Sequence, residues 1–152
     1  LGGIGKTQLV LRYAQLHAVD YDNNVLWINA ETKNNLVYSF NTLATKLQLE
    51  TKDRYNHDKP SEEIAQEIYE YFSDRKSLFI FDNVENYKEI QTYLPKLIPG
   101  NQPSILITSR YSYWQNVASV ISLGVFTEEE SMLLIKKELN IMDNTQDEKI
   151  KE

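Results

Sequence analysis

Leu1-Gly2-Gly3-Ile4-Gly5-Lys6-Thr7 opens the chain and runs into Gln8-Leu9-Val10-Leu11-Arg12-Tyr13-Ala14. The first seven residues fit G-x-x-x-x-G-K-[ST] with its first glycine cut off, and the next seven make a good helix opening, as this phosphate-binding (Walker A) pattern requires. Each residue type has a physical task. Glycines let the backbone curl so that its N–H groups face phosphate oxygens, and the helix N-terminus adds positive potential. Lys6 is a compact cation placed to reach the β- and γ-phosphates. Thr7 offers a hydroxyl to Mg2+, a hard ion that prefers oxygen ligands in octahedral geometry. The bland alternative is a glycine-rich turn that caps a helix. Three glycines in register with the Lys-Thr pair weigh against it. The expected nucleotide contacts in the loop are therefore Gly2, Gly3, Ile4, Gly5, Lys6, Thr7 and Gln8.

The rest of the composition sets bounds. A length of 152 residues suits about one domain, and 41% hydrophobic content is enough for a core. No apolar run approaches the roughly 18 residues of a membrane span, so no membrane partner is expected. The net charge is −6, without a concentrated cationic face, which argues against nucleic acid as a partner. With no cysteine, disulfides and thiolate metal sites are excluded. That suits a reducing compartment, and a cytoplasmic location is expected. Because the chain starts without Met in mid-motif, it is expected to be a fragment of a longer protein, lacking the strand that feeds the loop.

Outward from the loop, helices and strands alternate. Leu9, Val10, Tyr13 and Ala14 predict the buried stripe of a helix from 6 to about 18. Val25-Leu26-Trp27-Ile28-Asn29-Ala30 reads as a strand covered on both faces. Leu36, Phe40, Leu43 and Leu47 give a helix over about 34–48. Pro60-Ser61-Glu62-Glu63 predicts a helix start with Ser61 as N-cap, and Ile64, Ile68 and Phe72 mark its buried face. Leu78-Phe79-Ile80-Phe81 is a second strand and Ser104-Ile105-Leu106-Ile107-Thr108 a third. A short helix is expected between Tyr87 and Leu97, and a brief fourth strand at Val120-Ile121-Ser122-Leu123. Thr127-Glu128-Glu129-Glu130 is a capping box that opens a helix through Leu139, with a polar tail from Met142 onward. The pattern predicts an α/β three-layer fold around a mostly parallel sheet, in which ligands bind beyond the carboxyl ends of the strands.

Those ends carry the polar residues of interest. Asp82 follows four hydrophobic residues, the Walker B arrangement that holds Mg2+ through a carboxylate, so Thr7 and Asp82 are the expected metal ligands. Asn83 stands where many such ATPases carry a second acid. An amide cannot take a proton from water near neutral pH, so either hydrolysis is slow or the base lies elsewhere, with Glu85 as a substitute. Thr108-Ser109-Arg110 ends the third strand, where two hydroxyls and a guanidinium are placed to sense a γ-phosphate. Lys6, Asp82 and Arg110 are thus the expected catalytic set. His17 and His57 read as isolated, without a carboxylate or second histidine at ligand spacing, and Trp27 reads as core filler. No Asn-Lys-x-Asp guanine-reading motif occurs, which favours adenine.

Together, the Gly2–Thr7 loop, the Val25–Ala30 strand, Leu78 to Val84 and the Ile105–Arg110 element resemble the NB-ARC domain of the STAND class of P-loop NTPases. The likeness covers about residues 1–140. It implies a P-loop NTPase fold with a nucleotide-binding α/β core over 1–124 and the beginning of a helical subdomain over 125–152. It also implies that the Ser104–Thr108 strand lies between the Walker A and Walker B strands. In function it implies an ATP/ADP-binding regulatory switch of a signalling protein: ADP holds a closed form, and exchange for ATP permits self-association. Repeats at the C-terminus would detect the signal. Two other functions remain in view, a P-loop phosphotransferase (kinase) acting on a small acceptor and a non-hydrolysing interaction scaffold. Only four arginines occur, with no arginine-rich lid, which disfavours the first. Intact Lys6, Thr7 and Asp82 disfavour the second.

Overall fold

Leu78, Phe79, Ile80 and Phe81 are consecutive apolar residues, and all four are buried. They begin β2 (Leu78–Val84) in a computed structural model that describes residues 3–96, 100–111, 113–114 and 117–139. β2 is the middle strand of a sheet ordered β1-β2-β3. β1 (Val25–Asn29) pairs with it in parallel, from Val25 opposite Leu78 to Asn29 opposite Asp82. β3 (Ser104–Ser109) pairs in parallel on the other side, from Ser104 opposite Leu78 to Ile107 opposite Phe81. The third strand thus lies beside the Asp82 strand, as the resemblance implies.

Because side chains alternate along a strand, β2 feeds two cores. Phe79 and Phe81 pack with Leu26 and Ile28 on one face, under Leu36, Phe40 and Ala44 of α2 (Lys33–Lys46) and Ile64, Ala65 and Ile68 of α3 (Ser61–Tyr71). Leu78 and Ile80 pack on the other face against Val10 and Ala14 of α1 (Lys6–His17). Helices therefore cover both faces of a parallel sheet. This is the expected α/β arrangement, and it explains why β2 reads as an unbroken apolar run. Burial stabilises each such side chain by about 1.5–3 kcal/mol relative to exposure. Tyr69 is fully buried and donates its hydroxyl to the Tyr93 carbonyl at 2.9 Å. Burial pushes its hydroxyl pKa up.

Several expectations change on contact with tertiary structure. Leu9 is 52% exposed, because α1 meets the sheet along the Val10–Ala14 line and Leu9 is rotated off it. Trp27 is half-buried, packed against the α1-side core. Ser61 is the first residue of α3, and Pro60 takes the N-cap position. The Ser61 hydroxyl is within hydrogen-bonding distance of Glu62 and, at 2.7 Å, of the Tyr93 hydroxyl, so its side chain does not cap the helix. A short helix, α4 (Tyr87–Ile90), forms after β2, while residues 97–99 at the expected end of that segment lie outside the described residues. Val120–Leu123 forms no strand. Val120 and Ile121 are 48% and 87% exposed, and the segment pairs with no described strand.

The chain divides into two compact units, Leu1–Val120 and Ile121–Glu152. The second contains α5 (Glu128–Glu138), started by the capping box read from the sequence. The Glu130 carboxylate accepts the Thr127 N–H at 2.8 Å, and the Thr127 hydroxyl accepts the Glu130 N–H at 3.2 Å. The tail from Met142 lies outside the described residues. Among the described residues, no helix is long and apolar enough to cross a membrane.

Candidate functional site

Parallel strands deliver their carboxyl ends to one edge of the sheet, and the loop at the start of α1 meets that edge. Gly3 and Gly5 adopt φ of 76° and 88°, in the left-handed region. A Cβ built at either would meet nothing within 4 Å, so backbone conformation, not crowding, calls for glycine there. Gly5 is the N-cap of α1. No side chain caps the helix, and its first turn holds no acid, so the positive end is left to an external anion.

Gly3, Ile4, Gly5, Lys6, Thr7 and Gln8, together with Asn83, Thr108 and Arg110, line a cavity of about 260 Å3. Each loop residue expected to contact nucleotide lines this cavity except Gly2, which lies outside the described residues. The charged groups among these lining residues are Lys6 and Arg110, a cationic pair suited to a polyphosphate. Asp82 stands beside the loop, where the Thr7 hydroxyl donates to its Oδ1 at 2.9 Å. Glu85 is exposed and is not among the lining residues.

The hydroxyl pair at the tip of β3 is arranged differently from the γ-phosphate sensor expected of it. Thr108 Oγ1 donates to Asp82 Oδ1 at 2.6 Å and accepts the Asn83 N–H at 2.8 Å. Ser109 Oγ donates to the Val84 carbonyl at 2.7 Å and accepts the Tyr111 N–H at 2.9 Å. Both hydroxyls make bonds within the protein, and of the three residues Thr108 and Arg110 line the cavity. Asn83 itself has φ of 66°. Sequence reasoning missed this linkage. The available signal was the residue type at 83, since asparagine tolerates the left-handed region better than most residues.

The histidines also differ in detail. His17 Nδ1 lies 2.8 Å from Asp20 Oδ2 and its ring stacks on Tyr13, while His57 lies 3.6 Å from Asp53. Each has a carboxylate neighbour that the sequence reading did not anticipate. Among the described residues, however, no group of three or more His, Cys, Asp or Glu side chains could hold a metal.

A family model of the NB-ARC domain matches residues 1–146. The chain belongs to the NB-ARC domain family. No curated protein matches it. An NB-ARC domain is a nucleotide-binding P-loop NTPase module of signalling proteins, and the parallel sheet flanked by helices is consistent with that fold. In this NB-ARC domain, the loop, the carboxyl end of β2 and the tip of β3 converge on one cavity.

Proposed function

We propose that this NB-ARC domain binds ATP and ADP together with Mg2+ and serves as a regulatory switch, hydrolysing ATP slowly, with nucleotide exchange controlling assembly. The observation that supports this most is the hydrogen bond from the Thr7 hydroxyl to Asp82, groups 75 residues apart in sequence. It joins the two elements that a nucleotide–metal complex needs, the phosphate loop and the strand-end carboxylate.

The donor chemistry fits magnesium. The Thr7 hydroxyl donates a hydrogen bond to Asp82, which leaves its oxygen lone pairs for a cation, and Asp82 contributes charge. The described residues offer no complete protein cage, so phosphate oxygens and water would complete the octahedral shell. Thr7 and Asp82 would hold the ion, and its charge would offset that of the β- and γ-phosphates. Lys6 would bind those phosphates as a point charge, and Arg110, which lines the same cavity, would read the third phosphate. Asn83 can hydrogen-bond a water but cannot accept its proton, which is the basis for slow turnover. A switch of this kind needs different affinities of two conformations for ADP and ATP, without which nucleotide would shift nothing. The same reading takes residues 1–124 as the nucleotide-binding core and 125–152 as the start of a helical subdomain. It takes the location as cytoplasmic, self-association as the output, and C-terminal repeats as the signal detector.

Asp82→Ala should weaken Mg2+-ATP binding by about tenfold, and by more than Asn83→Ala does, since a carboxylate suits the hard cation and an amide does not. Equal losses in the two variants would place the metal ligand elsewhere. Asn83→Asp keeps a side chain that tolerates the left-handed backbone and supplies a base, so phosphate release should speed up. No change in turnover would mean that another residue or a conformational step limits it.

Arg110→Ala should cut the preference for ATP over ADP by roughly tenfold while leaving ADP affinity nearly intact, because a γ-phosphate reader has little to hold on a diphosphate. Competition titrations with both nucleotides measure this. A large loss of ADP affinity would make Arg110 a β-phosphate ligand or a structural residue.

A further inference from the structure

The β2–β3 ladder changes step where the site begins. Phe81 pairs with Ile107 and Val84 pairs with Ser109, so three steps along β2 match two along β3. This is a bulge, and the extra residue loses its place in the backbone ladder. Asn83 occupies that stretch with its left-handed φ of 66°. Its N–H would be orphaned in a half-buried position, but it donates to Thr108 Oγ1 at 2.8 Å. Accepting that bond directs the hydroxyl's own proton the other way. It goes to Asp82 Oδ1 at 2.6 Å, a length typical of a hydroxyl bonded to a carboxylate. Thr7 donates to the same oxygen at 2.9 Å, so two hydroxyls meet at Oδ1. Ser109 closes the far side of the bulge through its bond to the Val84 carbonyl.

We propose that Thr108 is a positioning residue of this site: one hydroxyl clamps the bulge, fixing the rotation of the Asp82 carboxylate and holding Asn83 in its left-handed turn toward the cavity. The proposal rests on the reading of Asp82 as a magnesium carboxylate. Thr108 is 4% exposed, and its hydroxyl acts on a ligand through Asp82 and Asn83. A valine has nearly the same shape but offers neither the acceptor nor the donor. It would leave the Asn83 N–H unsatisfied and let Asp82 turn. A serine keeps both functions.

The test compares Thr108→Val and Thr108→Ser with the unsubstituted protein in two measurements. One is hydrogen exchange at the Asn83 amide without ligand. The other is the Mg2+ concentration that half-saturates ATP binding, set against ADP affinity in the presence of a chelator. With valine, Asn83 exchange should accelerate and the Mg2+ requirement should rise, each by about tenfold, the scale of one lost hydrogen bond to a charged group, while chelator ADP affinity stays within about twofold. Serine should restore both. A structural role alone would lower stability without moving the Mg2+ requirement relative to metal-free binding, and that result overturns the proposal. So does fast Asn83 exchange in the unsubstituted protein, which can be measured even if the valine variant fails to fold. Failure of serine to restore the Mg2+ requirement also overturns it. If ATP affinity in the unsubstituted protein ignores Mg2+, the magnesium reading falls and takes the functional half of this proposal with it. A Mg2+ response shared by the protein and its valine variant would remove the proposal alone.

Discussion

Lys6→Ala should weaken Mg2+-ATP binding by about ten- to a hundredfold. Lys6 is the first residue of α1 and lines the cavity beside Gly5 and Thr7. Losing a charge-assisted contact to phosphate costs on the order of 1.5–3 kcal/mol, and each 1.4 kcal/mol is tenfold in affinity. The fold should survive, since alanine is the better helix former and the site is at a helix start. Titration with labelled ATP measures the loss, and a parallel thermal melt shows that the protein is intact. Unchanged affinity with an unchanged melt would remove the Gly3–Thr7 loop as the phosphate site.

Phe40→Ala should bring the largest loss of stability. Phe40 is fully buried in α2 and meets two rings, Phe81 of β2 at 6.1 Å and Tyr93 at 5.4 Å between centroids. It therefore joins the helix layer to the strand residue that immediately precedes Asp82. Removing a buried phenylalanine leaves a cavity and costs about 3–5 kcal/mol, against a typical net stability of about 5–15 kcal/mol. For a chain of this size that is a fall in melting temperature of roughly 6–20 °C. Tyr38→Ala, on the same helix at 73% exposure, should stay within about 0.5 kcal/mol. If the two variants melted alike, Phe40 would not be the keystone of that layer. Nucleotide affinity should also fall in Phe40→Ala on warming before it falls in the parent, because the Asp82 strand end depends on this packing.

Much of the fold is legible in the residues because the signals that specify it are local or periodic. Leu36, Phe40 and Ala44 fall on one helical face whatever they pack against, and Leu78 to Phe81 can be satisfied only between two covering layers. The Thr127–Glu130 box spans four residues and forms its two reciprocal bonds as read. The phosphate loop is of the same kind, since its glycines specify a backbone shape by lacking side chains, and Gly3 and Gly5 take the left-handed angles that this implies.

Tertiary structure decided the rest, and the reason is that short polar side chains choose among partners that only the fold assembles. The Ser61 hydroxyl could have capped its helix but meets Tyr93, 32 residues away. Thr108 and Ser109 could have faced a phosphate but bridge to β2, across 25 or 26 residues of chain. Val120–Leu123 has a strand's composition but pairs with no described strand, so composition alone did not make it one. The left-handed Asn83 belongs here as well. Asparagine permits that conformation but does not require it, and the extra residue in β2, held by the Thr108 hydroxyl, is what selects it. The sequence by itself determined the class of fold, the loop and the carboxylate Asp82. The register shift between two neighbouring strands determined how that carboxylate is held.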